Sequence, residues 1–358
     1  MYPGRVAPEL RKHGWAVYGV ALTGSRVAYS FEKGRVDCLT FKSRASALFS
    51  LVRIIRYIRR KNVGVVHAHK SSDIRIAALI GQLCPDIKVF FTDHMGVKKP
   101  KRDFYHRWAY SKVTRVFSIS QFTYSWNRCS LPVPEDRLTQ LYYGIDLRAY
   151  EDPLTLNEKS AIRRSLGVPG SSVVIALPGR IDRSKGHDVW LRALKLLSEE
   201  SGLPPWRAVI IGESAPDDID AGRFQKELEE LVDQKQLSER VSFVGFRTDL
   251  AACLKAVDIC CIPSVIEAFG LAVIESMAAQ CAIIGSSSGA IPELVDCSRG
   301  RTVDPREPEG WRDALKELVV NDGVREALSS EGARWVAEKF SMEAHIYSLT
   351  YYYDKPTV

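Results

Sequence analysis

The sequence has none of the ~18-residue apolar runs that a bilayer-spanning helix needs. Its longest candidate, 268–285, is interrupted by Glu275, Ser276 and Gln280. The N-terminus lacks the charged, apolar and small-residue order of a secretory leader. Eight cysteines form no C-x-x-C pair and stand at no zinc-finger spacing from histidine. Four of them lie in apolar segments, where a reduced thiol acts as a small hydrophobe. That usage fits a reducing compartment, and a cytoplasmic location is expected. The phosphate-binding pattern G-x-x-x-x-G-K-[ST] is missing. So are short-period repeats and low-complexity tracts.

What is present is an ordinary globular composition, 46% hydrophobic and 26% charged. At 358 residues the chain exceeds one typical core, and two domains of about 150–180 residues are expected. The net charge of +7 hides an asymmetry: +16 over residues 1–150 and −9 over 151–358. A basic first half suggests an anionic partner: a membrane surface, a phosphate-bearing acceptor or nucleic acid. The alternative is a merely solvated basic surface. In segment 42–62 apolar residues fall at 45, 48, 49, 52, 55 and 58, and basic ones at 53, 56, 59, 60 and 61. This spacing predicts an amphipathic helix whose apolar stripe packs on a sheet. Its cationic face would remain free for anionic headgroups.

Short β-branched runs alternate with helical periodicity throughout. Strands are expected over 16–22, 36–41, 63–67, 88–92, 115–119 and near 138–142, then over 172–177, 208–211, 241–244, 258–262 and 282–284. Helices are expected over 45–60, 72–83, 103–112 and 121–128, then over 186–199, 223–236, 248–255, 271–279, 311–319 and 324–338. Such alternation in both halves predicts an α/β protein of two doubly wound parallel-sheet, Rossmann-like domains facing a cleft, with ligands at strand C-terminal ends. The domains expected are 1–150 and 151–340, with 341–358 a C-terminal helix that packs back on the first. The linker is expected over 146–158, which holds Pro153 and no apolar period. A helix precedes the strand at 16–22, so the usual opening strand is missing from its expected place.

The strongest constellation is Pro263–Ser276, PSVIEAFGLAVIES. A strand ends at Pro263, a loop carries Glu267, and Phe269, Gly270 and Leu271 open a helix. Free backbone N–H groups at such a start suit a phosphate, and Gly270 allows close backbone approach. Glu275 lies eight residues after Glu267 and can accept hydrogen bonds from hydroxyls. The plain alternative is a loop acid and a solvated helical acid, but Ile274 and Met277–Ala279 flank Glu275 with apolar residues. A second constellation follows the strand at 172–177. There Arg180 and Lys185 stand beside a helix start, where two cations would neutralise a diphosphate. Alone, they read equally well as solvated loop cations.

The order of Gly179-Arg180, Lys185-Gly186, VSFVGFRTDL (241–250), E-x7-E within P-S-x-x-E-x-F-G-L, and SSSGAIPELVD (286–296) resembles the C-terminal domain of glycosyltransferase family 4. These are nucleotide-sugar-dependent retaining enzymes of GT-B fold. The resemblance spans nearly all of 115–340 and is weaker before it, through VVHAHKSSD (65–73) and FTDHMG (91–96). It implies that Arg180 and Lys185 bind the donor diphosphate and that Glu267 lies near the donor sugar. The amides of Phe269, Gly270 and Leu271 would serve sugar hydroxyls and phosphate, and Glu275 the ribose. Phe246 and Arg247 would lie near the base. His94 would face the sugar from the N-terminal domain. The family's common Asn-Gly after the linker strand is Tyr143-Gly144 here, and its Gly-rich first loop is represented by Gly4 alone.

His94 ends a strand, a position that favours function over a structural role. His67 and His69 also end a strand, but no third ligand stands near them, and they read as structural or cleft-lining. Asp218-Ile219-Asp220 spells D-x-D, and helix capping explains it better than a metal. No metal and no cofactor is expected beyond the nucleoside-diphosphate sugar itself.

The expected function is therefore transfer of a hexose from that donor to a glycan or lipid-linked acceptor, in surface polysaccharide or glycolipid synthesis. The protein would be cytoplasmic and peripheral on the inner face of the cell membrane. Alternatives are a nucleotide-sugar epimerase on the same fold or a nucleic-acid-binding protein. No motif supports the last, and no nucleic acid is expected as a partner.

Overall fold

The computed structural model describes residues 2–168 and 170–355. The chain divides into two compact units, Met1–Gly144 with Met342–Val358, and Ile145–Ser341. Both are α/β with parallel sheets.

In the first unit the strands are β1 (Tyr18–Leu22), β2 (Asp37–Phe41), β3 (Val65–Ala68), β4 (Lys88–Asp93), β5 (Arg115–Ser118) and β6 (Leu138–Gln140). They form a two-stranded sheet, β1–β2, and a four-stranded sheet in the order β3-β4-β5-β6. β4 is buried along almost its whole length, so Val89, Phe90 and Phe91 feed both faces of the unit. On one face Phe90 and Phe117 pack with Val6 and Leu10 of helix Tyr2–Lys12 and with Ile346 and Leu349 of helix Met342–Asp354. On the other, Val89, Phe91 and Val116 pack with Ala77, Ala78 and Tyr110.

The helix expected over 45–60 is two helices, Arg44–Phe49 and Leu51–Arg60. Ser50 leaves helical geometry between them, at φ −97° and ψ 21°. The break changes which side chains face inward. Ala47, Ile54 and Ile58 enter the core with Phe41 and Ile80. Phe49 and Val52, expected in the packed stripe, point to solvent instead. The alternation also concealed helix Arg26–Lys33, capped by the Ser25 side chain on the Ala28 N–H.

The second unit holds β7 (Val173–Pro178), β8 (Trp206–Ile211), β9 (Val241–Phe243), β10 (Ile259–Ile262), β11 (Ala282–Ser286) and β12 (Gly300–Val303). Their order is β12-β11-β10-β7-β8-β9. The order reverses around β7 and β10, and a doubly wound sheet opens its ligand crevice at such a reversal. β7 and β10 are wholly buried, and Trp190, Trp206 and Trp311 fill the layer beside them.

The segment expected as the linker, 146–158, contains helix Arg148–Glu151 and the start of helix Leu156–Ser165. The start is fixed by a capping box between Thr155 and Glu158. Ile145 donates its N–H to the Phe340 carbonyl at 2.8 Å, which ties the two ends of this unit together. Strand β12 carries polar residues between glycine and valine, which hides it from a β-propensity reading.

Candidate active site

Two loops at the C-terminal ends of β7 and β10 build a cavity of about 300 Å³. Pro178, Gly179, Arg180 and Lys185 line one side, and Pro263, Ser264 and Glu267 the other, with Leu271 and Ala272 at the floor helix. The loops are stitched together by the Val265 N–H, which donates to the Ser184 carbonyl at 2.8 Å. Across the cavity Lys185 Nζ donates to Glu267 Oε2 at 2.6 Å. Arg180 Nη2 reaches Asp182 Oδ2 at 3.2 Å.

Asp182 organises the cationic loop. Its Oδ1 accepts from the Ser184 N–H at 2.9 Å and from the Ser184 hydroxyl at 2.6 Å. The Ser184 hydroxyl above all holds the Asp182 carboxyl below its ordinary value, against partial burial. The carboxylate therefore stays charged and fixes the short helical turn Arg183–Lys185.

Glu267 is positioned from its own backbone. Its carbonyl accepts from the Ala290 N–H at 2.9 Å, and the Ser288 hydroxyl donates to the Val265 carbonyl at 2.6 Å. Gly289, at φ 66°, passes so close that a Cβ there would lie 2.5 Å from the Glu267 carbonyl oxygen. Helix Leu271–Ala278 begins at Gly270, which sits at φ 101° as its N-cap. Gly270 thus leaves the first helical N–H groups free of a side-chain cap.

The first unit carries a second group of polar residues at the C-terminal ends of its strands. His67 pairs through Nδ1 with the Tyr353 hydroxyl at 2.5 Å and through Nε2 with Thr92 Oγ1 at 2.7 Å. His69 stacks against His94, with ring centroids 5.5 Å apart. His94 Nδ1 is hydrogen-bonded to the Tyr143 hydroxyl. His345 Nδ1 faces the Tyr142 carbonyl at 2.6 Å and must donate to it; its Nε2 then accepts from the Tyr2 hydroxyl at 2.8 Å. Burial lowers these imidazoles' pKa values, to about 4 for His94 and His345 and about 3 for His67.

The chain matches the family described as "Glycosyltransferase Family 4" over residues 2–149 and "Glycosyl transferases group 1" over residues 158–335. It belongs to glycosyltransferase family 4. It is 34% identical over 196 residues to a D-inositol 3-phosphate glycosyltransferase of Corynebacterium jeikeium, covering 54% of this chain and 46% of that one. It is 25% identical over 287 residues to the lipopolysaccharide core biosynthesis mannosyltransferase LpcC of Rhizobium leguminosarum, covering 79% and 76%. The chain thus spans about half the length of the D-inositol 3-phosphate glycosyltransferase it matches. In fold it is similar to a Rickettsia africae glycosyltransferase, with TM-score 0.86, 19% identity and coverage of 97% and 92%. Anabaena Alr3699/HepE in complex with UDP superposes with TM-score 0.83, 17% identity and coverage of 98% and 94%. The fold is GT-B.

Within this family-4 chain, the structure brings Arg180, Lys185, Glu267 and Leu271 to one cavity. Phe269 and Gly270 are buried behind it. Glu275 is half-buried on the same helix and does not line the cavity. Arg247 forms a bidentate pair with Asp249 at 2.7 and 2.8 Å, and Phe246 is exposed beside it. His94 belongs to the first unit. Asp218 caps helix Ile219–Gln234 by accepting from the Ala221 N–H at 3.0 Å. Among the described residues no three His, Cys, Asp or Glu side chains are placed to hold a metal. Sequence reasoning did not single out Asp182, Ser288 or Gly289. Asp182 and Ser184 form a D-x-S pair that orders the loop, and Ser288-Gly289 lay unassigned inside a quoted motif.

Proposed function

We propose that this chain is a retaining glycosyltransferase that moves a hexose from a nucleoside-diphosphate sugar to a hydroxyl of a glycan or lipid-linked acceptor. The observation that carries the reading is the Lys185–Glu267 pair, 2.6 Å apart in a cavity that also holds Arg180. A lone pair of this kind would be a salt bridge without further meaning. Here it stands at the reversal point of a doubly wound sheet, beside an uncapped helix start.

When the glycosidic C–O bond to the diphosphate breaks, negative charge gathers on the leaving phosphate oxygens. Arg180, Lys185 and the amides of Phe269, Gly270 and Leu271 at the helix start oppose that charge. Glu267 orients Lys185 and accepts from sugar hydroxyls. The acceptor hydroxyl attacks from the face the diphosphate leaves and passes its proton to the departing phosphate oxygen, so no protein nucleophile is required. Glu275 holds the ribose, and Phe246 and Arg247 serve the base. The role of His94 toward the sugar calls for a neutral imidazole near pH 7, consistent with a pKa lowered to about 4 by burial. No metal or further cofactor enters the step.

Relatives support the substrate classes. HepE is solved with UDP and with UDP-glucose, LpcC is named for lipopolysaccharide core synthesis, and others for D-inositol 3-phosphate. By that likeness the protein serves surface polysaccharide or glycolipid synthesis; the basic charge of residues 1–150 is what favours a place on the cytoplasmic face of the cell membrane, against an anionic lipid surface. Among the described residues no helix is long and apolar enough to cross a membrane.

Product analysis tests the reading. The full chain, incubated with nucleotide sugars and hydroxyl acceptors in EDTA, is expected to yield a glycoside with the donor's anomeric configuration. Sugar isomerised without any acceptor would mark an epimerase. Turnover abolished by EDTA and restored by a divalent cation would return the metal role to Asp218 and Asp220.

A further inference from the structure

His187 opens helix His187–Ser198, two positions after Lys185, and does not line the cavity. Gly186 between them sits at φ 71°, where a Cβ would lie 2.2 Å from the Pro263 carbonyl oxygen. The chain therefore passes tightly from the cavity wall into the core. There the His187 side chain is wholly buried, and among the described residues neither of its ring nitrogens has a hydrogen-bond partner. The imidazole stands edge-on to Phe224 of helix Ile219–Gln234, with ring centroids 6.4 Å apart. Arg183 lies over the same Phe224 ring, 4.5 Å from its centroid, and donates to both oxygens of Glu227 at 2.7 and 2.8 Å. The turn Arg183–Lys185 is thus held against that helix by Arg183 as the chain enters it and by His187 as the chain leaves.

A buried polar atom without a partner costs free energy that a phenylalanine in the same space would not. Packing on Phe224 alone therefore does not account for an imidazole, but its charged surroundings do. From its own loop it faces Lys185 and Asp182. In the loop after β10, Glu267 pairs with Lys185. On helix Ile219–Gln234, Glu227 pairs with Arg183, and Asp188, next in the chain, pairs with Arg192 at 3.9 Å. Burial first, and then the Lys185 charge, lower the His187 pKa to about 4, while Asp182 pulls the other way. Among these groups Lys185 is the one whose charge an incoming diphosphate would cover.

We propose that His187 is a positioning residue of the donor site, which holds the Lys185 turn against its supporting helix and takes up a proton when an anionic diphosphate covers the Lys185 charge. With the cavity open, the neutral ring leaves Lys185 as the only cation of the pair, and the ammonium turns to Glu267. A diphosphate on Lys185 removes the repulsion that keeps a proton off the ring, and a proton from solvent then binds a ring nitrogen. Linkage fixes the sign: a site that gains a proton on binding holds its ligand more tightly as pH falls toward about 4. The inference deepens the donor site of the proposed function, and it rests on that reading only for the identity of the anion.

The test is an NMR titration of the full chain with isotope-labelled histidine, from about pH 7.5 down to about 4. The His187 signal is assigned by its loss in His187→Phe. Lys185→Ala is expected to make His187 bind its proton about threefold more tightly or better. UDP-glucose, whose phosphates do not titrate in this range, should do the same in wild type. Lys195→Ala, farther along the same helix and paired with Glu199, should leave the signal where it is. Calorimetry of UDP-glucose binding near pH 5, in buffers of different ionisation heat, should show net proton uptake in wild type and none in His187→Phe. If that variant fails to fold in a circular-dichroism melt, His187→Asn replaces it. An unmoved His187 signal in Lys185→Ala, or equal proton uptake without the imidazole, would overturn the inference. A signal that moves in Lys185→Ala while neither UDP-glucose nor GDP-mannose binds sinks the transferase reading alone. Donor binding that leaves the His187 signal unmoved sinks the positioning role alone.

Discussion

Lys185 and Glu267 are 82 positions apart in sequence yet share a hydrogen bond. What places them is backbone: the Val265–Ser184 bond, the Ala290–Glu267 bond and the tight passage of Gly289. The charged partners could be read from the sequence because carboxylates and cations at strand ends beside helix starts have few purposes. Their supports could not, because Ser288 and Gly289 look like any turn until the loop they brace is known. Glu275 is the residue whose role most needs measurement, since it lies on the site helix outside the cavity lining. Glu275→Ala is expected to weaken nucleotide binding by about 1.5–3 kcal/mol, the worth of a hydrogen bond to a charged group. The melting temperature should move little. Calorimetric affinities equal to wild type would remove the ribose role.

At the scale of elements, helix Leu156–Ser165 is held by one side chain. Arg163 donates to both oxygens of Asp258 at 2.7 and 2.8 Å, to the Ala256 carbonyl at 2.9 Å and to the Ser172 carbonyl at 3.1 Å. Asp258 also accepts from the Val174 N–H at 2.8 Å, so the helix is pinned where β7 and β10 begin. Arg163→Met would leave that carboxylate part-buried beside Lys159, 3.6 Å away. A loss of about 3 kcal/mol is expected in urea unfolding of the second unit, near the lower bound for breaking a buried pair because Asp258 keeps some exposure. A change within about 0.5 kcal/mol would show that packing alone holds the helix. This helix escaped the sequence reading because none of its residues is fully buried. The strands were legible for the opposite reason: β7, β10 and β11 are buried on both faces and read as unbroken apolar runs. The split at Ser50 was not legible, because the apolar period continues through it while the backbone turns Phe49 and Val52 outward.

At the scale of the whole molecule, the two units differ in how they answer to acid. The first holds the half-buried His67, His69 and His94 and the buried His345 in neutral form, all with pKa values lowered by desolvation; the second has His187, lowered to about 4 by desolvation. In the unfolded chain each would take a proton near its ordinary value of 6.5. The folded form is therefore fully favoured above pH 6.5 and loses ground as pH falls toward about 4, because only the unfolded chain gains protons in that window. Amide hydrogen exchange is expected to show the first unit opening more steeply than the second between those values. Equal slopes in both units would mean that carboxylates, not the histidine group, set the acid limit. The proposed function depends on a donor entering the cavity of the second unit. Its most direct test is calorimetric titration of UDP, GDP, ADP and TDP sugars into the full chain in EDTA, beside Lys185→Ala. At least one donor is expected to bind without metal, and Lys185→Ala to weaken it by about tenfold or more. No binding by any of the four, or equal binding by the variant, would contradict it.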